Sequence, residues 1–315
     1  KQYDVEEIDP TNPIEEDTYD VMVVVQPSSL SPEQFDHVVE AVAAGQPTAI
    51  FEDPRPVFMT NAPATGEPKM APGGMNPMMG GGGGPQPKGD IQKLWNLLGL
   101  NVPGETSMMG QYAPDLAWQE YNPYLKLQIQ GIPDSWVFCR REAPGGEDAI
   151  NDESPITSGL NEIFFPVPGT IKPAKDSDLK FTPLVSTGEA AGTISFQDFM
   201  DNRDNPLAME AAQGRPKGEQ VIAARITGTL SDDQLMSDAG YDVAQADTED
   251  AAEPADADEP AADPESGETA DDADAIGDDS GDDASETSED EASEDEAAEP
   301  EEKEKRAIDV VYVAD

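Results

Sequence analysis

The sequence lacks the side chains that most catalytic and metal sites need, since its 315 residues include one cysteine, Cys139, and one histidine, His37. One cysteine excludes an intrachain disulfide. One cysteine and one histidine together cannot supply the usual four ligands of a structural zinc ion. A Ser-His-Asp or Cys-His catalytic arrangement needs an imidazole, and His37 falls outside the apolar stripe of its predicted helix, which favours a position facing solvent. We therefore predict that the protein is not an enzyme and has no catalytic residues, no metal site and no cofactor.

Basic residues are scarce as well, with 18 Lys and Arg against 67 Asp and Glu and a formal net charge of −49. A nucleic-acid partner needs a basic face that displaces counterions from phosphates, so no nucleic acid is expected. Long apolar runs are also missing, because no stretch approaches the roughly 20 residues that cross a bilayer. Any membrane anchor is therefore expected outside the given chain.

Much of the negative charge lies in one stretch. Between positions 242 and 304, 29 residues are acidic and one, Lys303, is basic. A stretch made of Ala, Asp, Glu, Pro, Ser and Gly buries too little apolar area to offset its ordering entropy. We predict a disordered acidic loop over 231–306, which collects divalent cations only diffusely, and a returning strand over 307–315.

The first 58 residues predict a βαβ unit. A β-branched run over 20–25 is typical of a strand covered on both faces. Ser31, Pro32 and Gln34 form a helix start with a capping box, apolar residues follow at helical spacing, and a short strand over 47–51 comes next. Such a crossover is nearly always right-handed.

The remainder of the α/β domain is predicted over 90–230, after a flexible insert over 59–89 that is rich in glycine, proline and methionine. Asp90 caps a second amphipathic helix that ends at Gly99. Further strands are predicted from period-two or apolar runs, at 124–129, 136–139, 163–167, 182–185 and 221–227.

Polar residues follow the predicted parallel strands. Gln26, Ser28 and Ser29 follow the first strand, Asp53 the second and Asp315 the last. Ligands of open parallel sheets bind at the carboxyl ends of the strands, so these residues are candidate binding residues. Helix capping and turn formation are the alternative, and more common, roles of such residues.

Six segments in a fixed order are spread along the chain outside the insert and the acidic loop. They are Tyr19–Gln34, Phe51–Pro54, Leu94–Leu100, Ser154–Leu160, Phe181–Gly188 and Val310–Asp315. In these segments the chain resembles the extracytoplasmic domain of the Gldg family, auxiliary proteins of ABC-type transport systems that are similar to the gliding-motility transporter component.

The resemblance implies an α/β fold with three layers and a mostly parallel sheet, flavodoxin-like or glutamine-amidotransferase-like. It implies a domain on the extracytoplasmic side of the cytoplasmic membrane, held by anchors outside the chain. The expected partners are ABC permease and ATPase subunits, and the expected role is to bind a partner protein or a solute. The family provides no ligand or catalytic residues to carry over.

Two alternatives stay open at the level of sequence. One is an enzyme on an amidotransferase-like or hydrolase-like sheet, in which Cys139 or Ser28 is the nucleophile and an Asp or Glu is the base. The other is an acidic surface or structural protein that collects cations on its loop.

Overall fold

Short strands outnumber helices in the computed structural model, which describes residues 3–16, 18–59, 62–70, 84–107, 110–230 and 307–315. The described residues all belong to one compact unit. The elements in chain order are β1 (Met22–Val25), α1 (Pro32–Ala43), β2 (Thr48–Phe51), β3 (Lys69–Met70), β4 (Pro85–Gln86), α2 (Ile91–Leu97), β5 (Leu100–Asn101), β6 (Gly104–Thr106), β7 (Tyr112–Pro114), β8 (Leu116–Gln119), α3 (Leu125–Ile129), β9 (Trp136–Arg140), β10 (Glu162–Pro166), β11 (Lys172–Pro173), β12 (Lys180–Ser186), β13 (Ala191–Ile194), α4 (Phe196–Asn202), α5 (Pro206–Gln213), β14 (Val221–Thr229) and β15 (Ala307–Val313).

The main sheet has five strands in the order β1-β2-β15-β14-β12. The β1–β2 and β2–β15 pairs are parallel, whereas β15–β14 and β14–β12 are antiparallel. The sheet is therefore mixed, and the prediction of a mostly parallel sheet was wrong. The connection from β12 to β14 contains β13, α4 and α5, yet the two strands pair antiparallel, so the helices in a connection do not by themselves indicate a parallel crossover. The closing strand, β15, lies in the centre of the sheet.

The predicted βαβ unit is present as β1, α1 and β2. Ser31 Oγ accepts a hydrogen bond from Gln34 N while Gln34 Oε1 accepts one from Ser31 N, which is the expected capping box. The two strands pair in parallel with Met22 opposite Thr48. The sequence signals for this unit are local, and the structure confirms them.

Helices α1 and α2 cover one face of the sheet. Val38 of α1 and Leu94 of α2 pack in the same apolar cluster as Ile50 and Tyr312 of the sheet. Trp95 Nε1 donates a hydrogen bond of 2.7 Å to the Tyr312 hydroxyl, so these two large side chains are buried without an unsatisfied polar atom.

The β9–β10 hairpin covers part of the other face. Cys139 and Phe165 pack against Leu184 and Ile222, and Cys139 is buried as expected of a small apolar side chain. Beyond the hairpin, no described residue covers the outer face of β1.

The valines of β1, and Val21 directly before it, show this. Val21, Val23 and Val25 are 59%, 63% and 56% exposed, whereas Met22 and Val24 point into the core. The prediction of a strand covered on both faces was wrong. An edge strand alternates between two environments, and a continuous run of valine does not reveal which side is buried.

The segment 124–129, predicted to be a strand, instead contains helix α3. Leu125 and Ile129 are both exposed, and the alternation of apolar and polar residues therefore does not mark a buried face. Leu, Lys and Gln are good helix formers, and this local propensity prevails because no neighbouring strand pairs with the segment.

The flanks of the insert predicted to be flexible take part in the fold. Lys69 and Met70 pair with Gln86 and Pro85 in a short antiparallel ribbon. Residues 71–83, and the acidic loop predicted over 231–306, lie outside the described residues. Among the described helices, none combines the length and the apolar content that a membrane span requires.

Candidate functional site

The carboxyl ends of β1, β2 and β15 meet at one edge of the sheet because the three strands are parallel. We call this region the strand edge: Gln26, Ser28, Ser29, Glu52, Asp53 and Asp315. All five residues predicted from the sequence lie there, and Glu52 is an addition. The structure thus brings the predicted set together, and the question is what these residues contact.

Gln26 joins the ends of β1 and β2 through its side-chain amide. Its Nε2 donates to the Asp53 carbonyl at 3.0 Å and lies 3.2 Å from both Glu52 Oε1 and the Pro63 carbonyl. Its Oε1 accepts from Asp53 N at 3.0 Å. The amide is 3% exposed, so these bonds are shielded from water.

Gln26 also carries backbone strain. Its φ of 54° and ψ of 54° place it in the left-handed region, which costs a non-glycine residue about 1–2 kcal/mol. It stands at a sharp turn from a strand into a 3₁₀ turn, and Ser29 Oγ steadies this turn by donating to Gln26 O at 2.7 Å. An amide is not a nucleophile, and the side chain at this turn instead hydrogen-bonds to the Asp53 backbone at the end of the neighbouring strand.

Glu52 is the most enclosed charged side chain of the strand edge, with 2% of its surface exposed. Its carboxylate accepts from Ser28 N at 3.1 Å and from the Thr65 hydroxyl. Burial raises the pKa of Glu52, while hydrogen bonds from Ser28 and Thr65 and the charge of Lys88 act in the opposite direction.

A loop over 62–67 closes over these groups. Lys88 Nζ donates to the carbonyls of Ala64, Thr65 and Glu67 at 2.9–3.1 Å, and this holds the loop in place. These contacts could not be recognised from the sequence, because Thr65 and Lys88 lie in a Gly- and Pro-rich segment. Glu52 alone was recognisable, since it directly follows a predicted strand.

Asp53 and Asp315 form a carboxyl pair at the ends of neighbouring strands. Burial raises the pKa of Asp53 to about 6, although the backbone N–H of Arg55 donates to Asp53 Oδ1 at 2.8 Å. Burial and the charge of Asp53 raise the pKa of Asp315 to about 8, and Asp315 Oδ1 has no hydrogen-bond partner among the described residues. Across the described ranges, no set of three or more His, Cys, Asp or Glu side chains is placed to hold a metal ion.

Cys139 and His37 lie on elements that pack against opposite faces of the sheet. Cys139 on β9 is fully buried, and burial raises the pKa of its thiol. His37 on α1 is half-buried rather than fully facing solvent, and its Nδ1 lies 2.8 Å from the Pro10 carbonyl. They are not arranged as a nucleophile and its base.

An open groove of about 520 Å³ begins beside the strand edge at Arg55. We call it the Trp136 groove. Apolar side chains form much of its wall, namely Val57, Trp136, Val167, Phe199 and Met209. Its size lies in the range of about 300–1,000 Å³ that is usual for small-molecule sites. The sequence did not predict it, because its walls come from segments far apart in the chain.

Trp136 continues from the groove into a row of aromatic rings on the outer face of the β9–β10 hairpin. Neighbouring ring centroids lie 4.9–6.4 Å apart, in stacked, tilted or edge-to-face arrangements within the usual range of aromatic packing. The row consists of Phe58, Trp136, Phe164, Phe138 and Tyr124.

Fold and site together define a mixed α/β protein in which an enclosed polar strand edge borders an open groove of apolar and aromatic character. Residues 1–298 match the family described as "ABC-type uncharacterized transport system", and the chain belongs to this family. The identification from sequence as an auxiliary component of an ABC-type transport system is thereby confirmed. No curated protein and no solved structure matches the chain.

Proposed function

We propose that the chain is the non-enzymatic, extracytoplasmic part of a membrane-anchored auxiliary protein, which binds a solute or a partner protein for an ABC permease and its ATPase. Family membership supports the association with a transporter. The observation that carries the binding role is the contrast between the enclosed strand edge and the open Trp136 groove next to it.

Binding is favoured over catalysis by what fills the strand edge. Gln26 and Thr65 both bond to Glu52, and the described residues include no activated nucleophile at the place where α/β enzymes carry one. Ser28 is 1% exposed and Cys139 is fully buried, so the two nucleophiles considered for an enzyme lack access to substrate. The groove, in contrast, is accessible.

The prediction that Gln26, Ser28, Ser29, Asp53 and Asp315 bind a ligand directly stays a prediction. Because the 62–67 loop closes over the edge, a ligand would reach Gln26 and Ser28 only after that loop moves.

Further features of the proposal come from the family resemblance and the composition. They are a flavodoxin-like or amidotransferase-like three-layer arrangement, anchors beyond residues 1–315, and a disordered acidic loop with diffusely held divalent cations. The alternative, a structural protein that collects cations, depends on that acidic loop. Titration of the protein with calcium in a calorimeter at physiological salt tests this alternative, and a saturable heat of binding would favour it.

Co-purification tests the transporter association. The full-length protein, tagged and extracted from its native membrane in mild detergent, should bring down a permease and an ATPase in fixed proportion, and an untagged strain provides the control. Recovery of the protein without either subunit, from membranes in which both are present, would contradict the proposal.

Cysteine labelling tests on which side of the membrane this segment lies. Cys139 is fully buried, so the unmodified protein should not react with a membrane-impermeant maleimide. A Glu153→Cys variant places a thiol at an exposed position. It should be labelled in intact cells or spheroplasts, whereas labelling only after lysis would place this segment in the cytoplasm.

A further inference from the structure

The Trp136 groove carries charges of both signs, and some of them form no ion pair with any described residue. The Arg55 guanidinium makes no ion pair and no side-chain hydrogen bond within the described part of the chain, although it lies near enough to Asp53 to lower the pKa of that carboxyl. Asp134 and Glu210, which also line the groove, make no ion pair among the same residues. Arg203, in contrast, lies 3.7 Å from Asp204.

The electrostatic surroundings of Asp134 are acidic. Desolvation and the nearby carboxylates of Glu120 and Glu210 raise the pKa of Asp134, and no basic group contributes an opposing effect. A cationic group placed between Asp134 and Glu210 would relieve this repulsion. The unpaired carboxylates thus favour a cation at their part of the groove.

A second, independent observation lies at the same wall. Ser135 lines the groove and is 1% exposed, yet its Oγ has no hydrogen-bond partner among the described residues. A buried hydroxyl without a partner is costly and calls for an explanation. Val167, also in the wall, has a φ of 65°, which is a strained conformation for a β-branched residue.

From these observations we infer that the Trp136 groove binds a small zwitterionic solute with an apolar body, of the amino-acid type. The ammonium group would lie between Asp134 and Glu210, the carboxylate at Arg55, and the apolar body against Trp136 and Phe199. A ligand with one charge would leave the opposite charge of the groove unpaired, whereas a zwitterion matches both. This deepens the proposed function by naming the class of solute.

Calorimetric titration of the 1–315 chain with three probes tests the inference. Phenylalanine is zwitterionic, phenethylamine keeps only the cation, and 3-phenylpropionate keeps only the anion. Phenylalanine should bind saturably, with a stoichiometry of one and about tenfold or more tighter than either analogue, because it gains one additional charge-assisted contact. Trp136 fluorescence should change in parallel.

Matched variants separate a built site from general attraction to an acidic protein. Arg55→Gln should reduce the affinity for phenylalanine to that of phenethylamine, and the double variant Asp134→Asn/Glu210→Gln should reduce it to that of 3-phenylpropionate. Glu153→Gln, which removes an exposed acid outside the groove, should change nothing. Circular dichroism confirms that each variant folds, and Arg55→Lys, which keeps the charge, should retain part of the affinity.

Three results would overturn the inference: no saturable binding of phenylalanine, equal binding of phenethylamine, or unchanged affinity in the groove variants. None of them affects the association with permease and ATPase, which co-purification measures separately. Conversely, solute binding by a protein that recovers no transporter subunit would overturn the transporter role alone.

Discussion

The strand edge and the Trp136 groove are neighbours, since Arg55 of the groove donates its backbone N–H to Asp53 of the edge, yet they are built in opposite ways. At the edge, Gln26 and Glu52 are buried and bonded to each other and to the 62–67 loop. In the groove, Asp134 and Glu210 are exposed and make no ion pair among the described residues. Buried polar groups that bond to one another stabilise the fold, whereas exposed charged groups without an ion pair are available to a ligand.

The comparison also shows that a position at the carboxyl ends of parallel strands does not by itself define a binding site. The rule that ligands settle there assumes a crevice, and here the 62–67 loop fills it. The accessible space lies beside the edge. Substitutions at the strand edge and in the groove test the two regions separately. The expected changes in the free energy of unfolding decrease from the first substitution to the last.

The largest effect is expected from Gln26→Ala. The change removes the amide that joins Asp53, Glu52 and the Pro63 carbonyl, and it leaves their buried polar groups without a partner. We expect the free energy of unfolding to fall by about 2–4 kcal/mol, measured by urea denaturation.

Two controls accompany this variant. Gln26→Gly removes the same amide without the strain of the left-handed backbone, so its difference from Gln26→Ala isolates that strain. Gln197→Ala removes an exposed glutamine and should change stability by less than about 0.5 kcal/mol. If Gln26→Ala were as mild as Gln197→Ala, the strand edge would not be a structural unit.

The next effect is a dependence of stability on pH. The folded pKa values of Asp53 and Asp315 are raised to about 6 and about 8, above the ordinary 3.8 of the unfolded chain. The folded state therefore binds both protons more tightly, and its stability is greatest at low pH and is lost as pH rises through these values. Between pH 6.5 and pH 8.5 we expect a loss of about 2 kcal/mol.

Urea denaturation curves at four pH values between these limits measure how steeply the free energy of unfolding falls with pH. The double variant Asp53→Asn/Asp315→Asn should flatten it, whereas Glu153→Gln should leave it unchanged. This comparison separates the carboxyl pair from the general repulsion of 67 acidic residues. A slope that survives in the double variant would assign the effect to that repulsion.

Thr65→Val tests the contact between the loop and the strand edge. The valine keeps the shape but removes the hydroxyl that donates to Glu52, so we expect a loss of about 1 kcal/mol. Thr106→Val, at an exposed position on β6, is the control and should have no measurable effect. Equal stability of the two variants would mean that the loop does not depend on Glu52.

The strand edge could be predicted because its determinants are local. The capping box at Ser31 and the short parallel strands place Gln26 and Asp53 side by side, and the returning strand adds Asp315. What the residues do there was not predictable, because their partners, such as Thr65, come from a segment whose composition predicts flexibility.

The groove and helix α3 illustrate what a single sequence leaves undetermined. Trp136 and Phe199 meet only through the tertiary fold, and no spacing along the chain relates them. For α3, the alternation of apolar and polar residues fits a strand, but both Leu125 and Ile129 are exposed, so the pattern records no buried face. Whether such a segment forms a strand or a helix depends on which of its side chains become buried. That in turn depends on the elements that pack against it in the folded protein.

The smallest change in stability is expected in the groove, and this completes the comparison. Asp134→Asn/Glu210→Gln removes two exposed carboxylates that repel each other, so the free energy of unfolding should stay within about 0.5 kcal/mol of the parent, with any shift towards higher stability. The reason is that acidic neighbours disfavour the charged form of Asp134, and its neutral replacement removes this penalty. Urea denaturation at pH 7.5 measures the change, with Glu153→Gln as the reference for loss of an exposed acid. A loss of 2 kcal/mol or more, as expected for Gln26→Ala, would show that these carboxylates stabilise the fold rather than stand available to a ligand.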